Sequence, residues 1–456
     1  MTKKTNSTRI KFARIAVTGT VVLAVAFAAF IIPLRPKKSE AEKRELAKFP
    51  SFSFSTFFSG EYFSDISSWF SDTVPFRDSL VNLNSKIQHI LGTATVLKGF
   101  NEVKGGDEIP DKPQTAPTED PSASAGNPPT NENETSEVTT APPATEPQGE
   151  YEGLVQKFDS ILVAGNSGYE YYNFVQSVAD SYIGAVNAAG TKLNGRATVY
   201  SMIIPTSIDI TLDPRVRKKV NSSDQKKAID YMEGSMNQYV KRVEIFDVMK
   251  AHKDEYVYFR ADHHWTGLGA YYAYTRFCEV KGIQPLPLSA YTVRSFDNFL
   301  GSFYNDSGKD PALGNTPDVV DTYTPPCQTK MTVTESSGNT LVTPMIYNAT
   351  TNKPAYKYSA FIYGDNPFTV IENTDKASGD ALILVKESFG NAIAPLFTYH
   401  YKYVYVVDYR YYSGKLNSLV DKAKAESGGN VDVLYCNNIS MTRASGQVSK
   451  LAGVLG

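Results

Sequence analysis

From residue 151 onward, short apolar runs alternate with longer stretches whose apolar side chains recur every three or four positions. Ile161–Gly165, Ala197–Ile204, Ala381–Val385, Tyr403–Asp408 and Val431–Tyr435 are short, β-branched or aromatic, and predict buried strands. Asn173–Ala189, Ser223–Val243 and Lys415–Glu426 have the period of helices, and Val243–Asp247 and Tyr256–Phe259 read as two further strands. Strands separated by helices of this length predict an α/β domain with a mostly parallel sheet covered on both faces. Sites in such sheets gather at the C-terminal ends of the strands. Residues 290–380 break the pattern. Gly, Pro, Thr and Asn clusters separate the β-prone runs Met331–Thr334, Phe361–Tyr363 and Phe368–Ile371, which predict an antiparallel insertion near the site.

The chain before residue 151 has three different textures. Ile15–Leu34 carries no charge over 20 residues, which at about 1.5 Å per residue spans a hydrocarbon core of about 30 Å. It predicts an uncleaved transmembrane anchor, with basic residues 1–14 as a cytoplasmic tail and the rest of the chain outside the cytoplasm. A cleaved signal peptide is the alternative, because Ala24-Val25-Ala26 and Ala26-Phe27-Ala28 have the small-x-small form. Residues 36–103 predict a helical N-terminal part of the extracytoplasmic domain. One aromatic helix runs from Glu61 to Phe70, and a second carries Leu80, Val81, Leu83, Ile87, Ile90 and Leu91. Residues 104–150 hold nine of the 25 prolines and almost no large apolar side chains. Such a stretch cannot bury enough surface to offset its ordering entropy and reads as a disordered linker.

Composition narrows the classes. With 21% charged residues and a formal net charge of -2, nothing points to a nucleic-acid partner. Cys278, Cys327 and Cys436 show no paired spacing, so neither a disulfide framework nor a zinc site is implied. No cofactor motif is present.

Chemistry concentrates in Asp262-His263-His264-Trp265, which holds two of the five histidines and one of the two tryptophans. In extended backbone, Asp262 and His264 face one cleft and His263 points the other way. A carboxylate beside an imidazole fixes its tautomer and stabilises the imidazolium, as a general base for a serine requires. A metal reading of Asp262, His263 and His264 is weaker, since adjacent histidines of a strand diverge and no further ligand motif is present. His89, His252 and His400 have no suitable neighbours. Lys386-Glu387-Ser388-Phe389-Gly390-Asn391 turns from a strand into a helix, where backbone N–H groups and the helix N-terminus could help form an oxyanion hole. The alternative for Ser388 is a plain helix cap. Gly390 lets backbone approach a substrate or only eases packing. Asn391, Asn437 and Asn438 are candidate oxyanion donors or turn residues. Thr206 and Arg410, each just past a strand end, are candidate substrate contacts, with an Asp408–Arg410 salt bridge as the plainer account.

Asp262-His263-His264-Trp265 and the Gly/Ala/Tyr-rich helix after it resemble the signature of the bacterial DHHW family, which is similar to the alginate O-acetyltransferase-like group. The resemblance spans about residues 40–103 and 151–440, including the Phe299–Tyr304 and Gly364–Asn366 segments. It implies an SGNH-hydrolase-like domain over residues 151–456 with permuted order, in which Ser388 is the nucleophile, His264 the base and Asp262 its orienter. It also implies an O-acetyltransferase acting on a cell-surface or exported polysaccharide, supplied by a multispanning membrane acyl-transfer partner. A carbohydrate esterase with the same triad is one alternative. A silent envelope scaffold or binding protein is the other, kept open by Lys386 standing where the related pattern has glycine.

Overall fold

The computed structural model describes residues 151–456 except 159, residues 106–111, and scattered positions between 38 and 73. The chain divides into two compact units, Met1–Thr93 and Ala94–Gly456. In the first, Lys38–Ser39 pairs antiparallel with Arg44–Glu45, and the rings of Phe49 and Trp69 meet edge to face at 4.8 Å. The expected tail 1–14, anchor 15–34 and second helix of the 36–103 region lie outside the described residues. Among the described residues, no helix is long and apolar enough to cross a membrane.

The second unit opens with β1 (Val155–Lys157), β2 (Ile161–Ala164) and β3 (Ser167–Glu170), a small antiparallel sheet of its own. Next come α1 (Gln176–Leu193), β4 (Thr198–Ile204), α2 (Gln225–Gly234), β5 (Val240–Arg242), α3 (Phe246–Ala251) and α4 (Gly267–Lys281). The middle of the chain supplies β6 (Thr292–Phe299), β7 (Asp318–Thr324), β8 (Thr329–Thr334), β9 (Thr340–Thr343) and β10 (Phe368–Asn373). The last part contains β11 (Gly379–Lys386), α5 (Gly390–Phe397), β12 (Tyr403–Asp408), α6 (Leu416–Ser427), β13 (Gly428–Asn438) and α7 (Ser445–Gly453).

The central sheet has eight strands in the order β9-β8-β10-β12-β11-β13-β4-β5. The five from β12 to β5 are parallel, so Asp408, Lys386, Asn438 and Ile204 all end at one edge. Both faces are covered, because alternate residues of each strand enter different cores. Met202 and Ile204 pack with Trp265, Tyr274 and Phe397, whereas Val199 and Ile203 pack with Tyr182, Val186 and Val420. Each fully buried aliphatic side chain contributes about 1.5–3 kcal/mol, and the buried polar residues inside these strands find partners, Ser201 at Glu233 and Asp432 at Tyr401.

Several expectations are corrected. Within the 290–380 region, β6 and β7 form an antiparallel sheet of their own, whereas β8, β9 and β10 extend the central sheet through β10 pairing with β12. Phe361–Tyr363 is not a strand, since Ile362 and Tyr363 are left-handed at φ 45° and 64°. Only Gln225–Gly234 of the long polar stretch is helical. The strand expected over Val243–Asp247 ends as Val243 N–H donates to the Ser201 carbonyl at 2.8 Å, and α3 begins at Phe246. Residues 106–111, inside the expected linker, dock on the domain. Ile109 is buried against Tyr172 and Phe174, and Asp107 N–H donates to the Phe174 carbonyl at 2.8 Å.

Candidate active site

The strand expected to enter Asp262 is a tight hairpin. Thr266 N–H donates to the Val257 carbonyl at 3.0 Å and Phe259 N–H to the His264 carbonyl at 3.1 Å, so Asp262 and His263 form the tip. Asp318, wholly buried, accepts the N–H groups of Arg260 and Ala261 at 3.0 and 2.7 Å and clamps the hairpin beneath that tip. On the far side, Thr266 Oγ1 accepts the Gly269 N–H at 3.2 Å and caps α4.

Asp262 Oδ1 accepts both the backbone N–H of His264, at 2.9 Å, and its Nδ1–H, at 2.6 Å. Oδ2 accepts the Ser302 N–H at 2.9 Å. This approach needs a glycine at 301, because a Cβ there would strike the Asp262 carboxylate. Burial opposes ionisation of Asp262, but the charges of His264 and His263 and the bonds from His264 and Ser302 outweigh it and hold the carboxyl well below its usual range. An ionised carboxylate only accepts, so Nδ1 of His264 carries the proton and Nε2 is left as an acceptor. Nε2 lies 2.7 Å from Ser388 Oγ.

His263 does not point away. The tip is a turn closed by the Asp262 carboxylate, so the imidazoles of His263 and His264 lie 3.8 Å apart, and His263 Nδ1 is 2.7 Å from Ser302 Oγ. Asp262, His263 and His264 offer ligand atoms within 4.8 Å of one another. Both nitrogens of His264 are nevertheless committed, to Asp262 and Ser388, and one of His263 to Ser302, which disfavours a metal.

Ser388 sits between β11 and α5. Its hydroxyl caps nothing, since Phe389 is the N-cap residue of α5 and makes no side-chain cap bond. The amides following the serine are turned inward: Phe389 N–H donates to Glu387 Oε2 at 2.8 Å, Gly390 N–H to the Glu387 carbonyl and Asn391 N–H to the Ser388 carbonyl. The helix start therefore already spends, inside the turn, the donors expected for an oxyanion hole. Glu387 also accepts the Asn438 N–H at 2.6 Å, tying the turn to the end of β13, and burial pushes its carboxyl upward.

The remaining sequence candidates separate. Asn438 lines the cleft beside Ser388, with Nδ2 donating one proton to the Ile204 carbonyl at 3.3 Å. Asn437 is wholly buried, its Oδ1 accepting from Tyr182 at 3.4 Å, and it does not line the cleft. Asn391 donates to Asp365 at 2.8 Å. Gly390 serves packing, since a Cβ there would strike the Lys386 side chain. Thr206 is occupied by Gln225, through both its N–H and its hydroxyl, and is removed from the site. Arg410 lines the cleft while paired with Asp408 at 2.7 Å and Asp365 at 2.8 Å. Lys386 is buried beneath it, 2.9 Å from Asp408 and 3.2 Å from Asp365. Burial works against its charge, but the two carboxylates raise its pKa and keep it a cation.

Sequence reasoning did not single out Tyr358, whose ring stacks on His264 at 4.0 Å and 12°, or Ser302 and Asp365. Ser302 and Asp365 lie in the Phe299–Tyr304 and Gly364–Asn366 segments, which share the family resemblance but carry no chemical mark in the sequence. Trp265 Nε1–H donates to the Phe389 carbonyl at 2.9 Å, so two neighbouring residues of the hairpin clasp two neighbouring residues of the serine turn. The cleft above them has a volume of about 320 Å³.

The DHHW protein family model matches residues 42–118 and 130–407, and the chain belongs to that family. No curated protein matches its sequence. A DHHW family protein from Eubacterium siraeum is 24% identical over 66% of this chain and 95% of that one, with a TM-score of 0.57. Bacillus cereus PatB1, solved with a sulfonyl adduct, is 18% identical over 65% of this chain and 100% of that one, with a TM-score of 0.51. The O-acetyltransferase domain of Pseudomonas putida AlgJ is 12% identical over 65% of this chain and 96% of that one, with a TM-score of 0.34.

Proposed function

We propose that the protein is a membrane-anchored, extracytoplasmic O-acyltransferase of the SGNH-hydrolase-like kind, moving an acetyl group onto a cell-surface or exported polysaccharide. One observation carries the reading: Ser388 Oγ is 2.7 Å from His264 Nε2, while His264 Nδ1 is 2.6 Å from Asp262 Oδ1. In the first half-reaction, His264 takes the Ser388 proton as Oγ bonds to the acyl carbon, and then returns it to the departing donor oxygen. In the second, His264 takes the proton of a sugar hydroxyl, that oxygen bonds to the acyl carbon, and Oγ leaves with the proton. Asp262 stays ionised throughout and steadies the imidazolium. Asn438, which lines the cleft and gives one amide proton to the Ile204 carbonyl, is the proposed oxyanion donor. The likeness in fold to Bacillus cereus PatB1, which was solved with a sulfonyl adduct, supports the reading by analogy. The anchor at 15–34 and a multispanning membrane protein as acyl supplier complete the proposal.

The test is acetyl transfer from 4-nitrophenyl acetate, measured with and without an oligosaccharide. Acetylated sugar formed by the wild type and absent in Ser388→Ala supports the transferase. Acetate release alone, lost in the same variant, replaces it with the esterase. Neither product from the wild type leaves the scaffold.

A further inference from the structure

The cleft beside Ser388 is lined in part by residues close to the C-terminal end of the chain. Its wall contains Tyr409 just past β12, Ser440 in the 3₁₀ turn Ile439–Arg443, and Gln447 on α7. Tyr409 Oη, Ser440 Oγ and Gln447 Oε1 are each buried without a hydrogen-bond partner. Unpaired buried polar atoms are costly, and three around one cavity next to a candidate nucleophile point to a polar ligand that supplies the missing bonds.

Charge decides which polar ligand. Arg443 is held by Glu170 at 2.7 Å, and Arg410 by Asp408 and Asp365 at 2.7 and 2.8 Å. Glu387 takes the N–H groups of Asn438 and Phe389. Each arginine of the wall is thus already neutralised, whereas the groups left unpaired are two hydroxyls and one amide oxygen. A carboxylate or phosphate entering here would have to strip an arginine from its partner while facing Glu170 and Glu387. A polyol meets no such penalty, because each sugar hydroxyl both donates and accepts. A volume of about 320 Å³ has room for such a unit.

We propose that this wall is the acceptor subsite and that the sugar unit it holds is uncharged rather than a uronate. The inference rests on the acyl-serine reading above for its role, though not for its binding chemistry. In the transfer step the bound hydroxyl gives its proton to His264 Nε2, its oxygen forms the new ester bond, and the Ser388 ester bond breaks.

The experiment titrates the full-length Ser388→Ala protein with chitotetraose and with tetragalacturonate, reading binding by calorimetry. Chitotetraose binding at least ten-fold more tightly is expected. Adding Ser440→Ala and Gln447→Leu is expected to weaken it about ten-fold at an unchanged melting temperature, and Tyr409→Phe to weaken it further. Equal or tighter binding of the uronate, or chitotetraose binding that ignores these substitutions, overturns the proposal. Because Ser388 is absent from the titrated protein, this outcome is independent of whether the wild type acylates, and the two readings can fail separately.

Discussion

The ring of Tyr358 lies flat against the imidazole of His264, 4.0 Å away and inclined by 12°, and its hydroxyl donates to the Ser388 carbonyl at 3.1 Å. One side chain thus restrains both the candidate base and the backbone of the candidate nucleophile. Tyr358→Phe keeps the stack and loses one hydrogen bond of about 1 kcal/mol, so ester turnover should fall several-fold at most. Tyr358→Ala should cost roughly a hundred-fold in kcat with a small change in KM, because a loosened imidazole no longer meets Oγ in line. Steady-state hydrolysis of 4-nitrophenyl acetate measures both variants.

Asp262→Asn leaves the shape of the hairpin tip but offers an amide where His264 needs an acceptor. The imidazole then turns or changes tautomer, and the loss in kcat should approach about 10⁴-fold, the size seen when the orienting acid of a serine triad is made an amide. Loss of less than ten-fold in a folded variant would mean that the carboxylate does not orient the base.

Lys386 tests whether the residue found in place of a glycine is a defect or a support. Lys386→Met leaves Asp408 and Asp365 sharing Arg410 alone, and the fold should lose about 3–5 kcal/mol, read by chemical denaturation. Pairing it with Asp408→Asn should recover part of that loss, because one uncompensated charge is removed with its partner.

Glu233 gives a pH signature away from the cleft. It is buried on α2, receives the Ser201 hydroxyl at 3.1 Å, and burial raises its carboxyl from an ordinary 4.5 to about 8. The folded state therefore binds its proton more tightly than the unfolded state does. Its contribution is fully present below pH 4.5, declines as pH rises, and is lost above about 8. Thermal melts across this window should show stability falling with pH, and Glu233→Gln should flatten the profile.

Much of the parallel sheet is legible because its strands are buried on both faces and read as mostly apolar runs. Ala381–Val385 and Tyr403–Asp408 both lie inside the observed β11 and β12. The hairpin at 256–266 reads as a single strand for a physical reason. Its aromatic, β-branched half has the composition of a strand, while its partner is the DHHW stretch itself, bonded across a reversal that periodicity does not register. The orientation expected of His263 follows from that reading. The pairing of Asp262, His264 and Ser388 was suggested by motif resemblance, since 124 residues separate the last two and no local pattern spans them. Tyr358, Asp318 and Ser302 carry no local mark of their positions, because each matters through a contact made only by folding.

The central claim is tested most directly by treating the protein with phenylmethylsulfonyl fluoride and locating the adduct by peptide mass spectrometry. One sulfonyl group on the peptide containing Ser388, forming at least about a hundred-fold more slowly in His264→Ala, is the expected result. Modification elsewhere, or an equal rate without the imidazole, would contradict it.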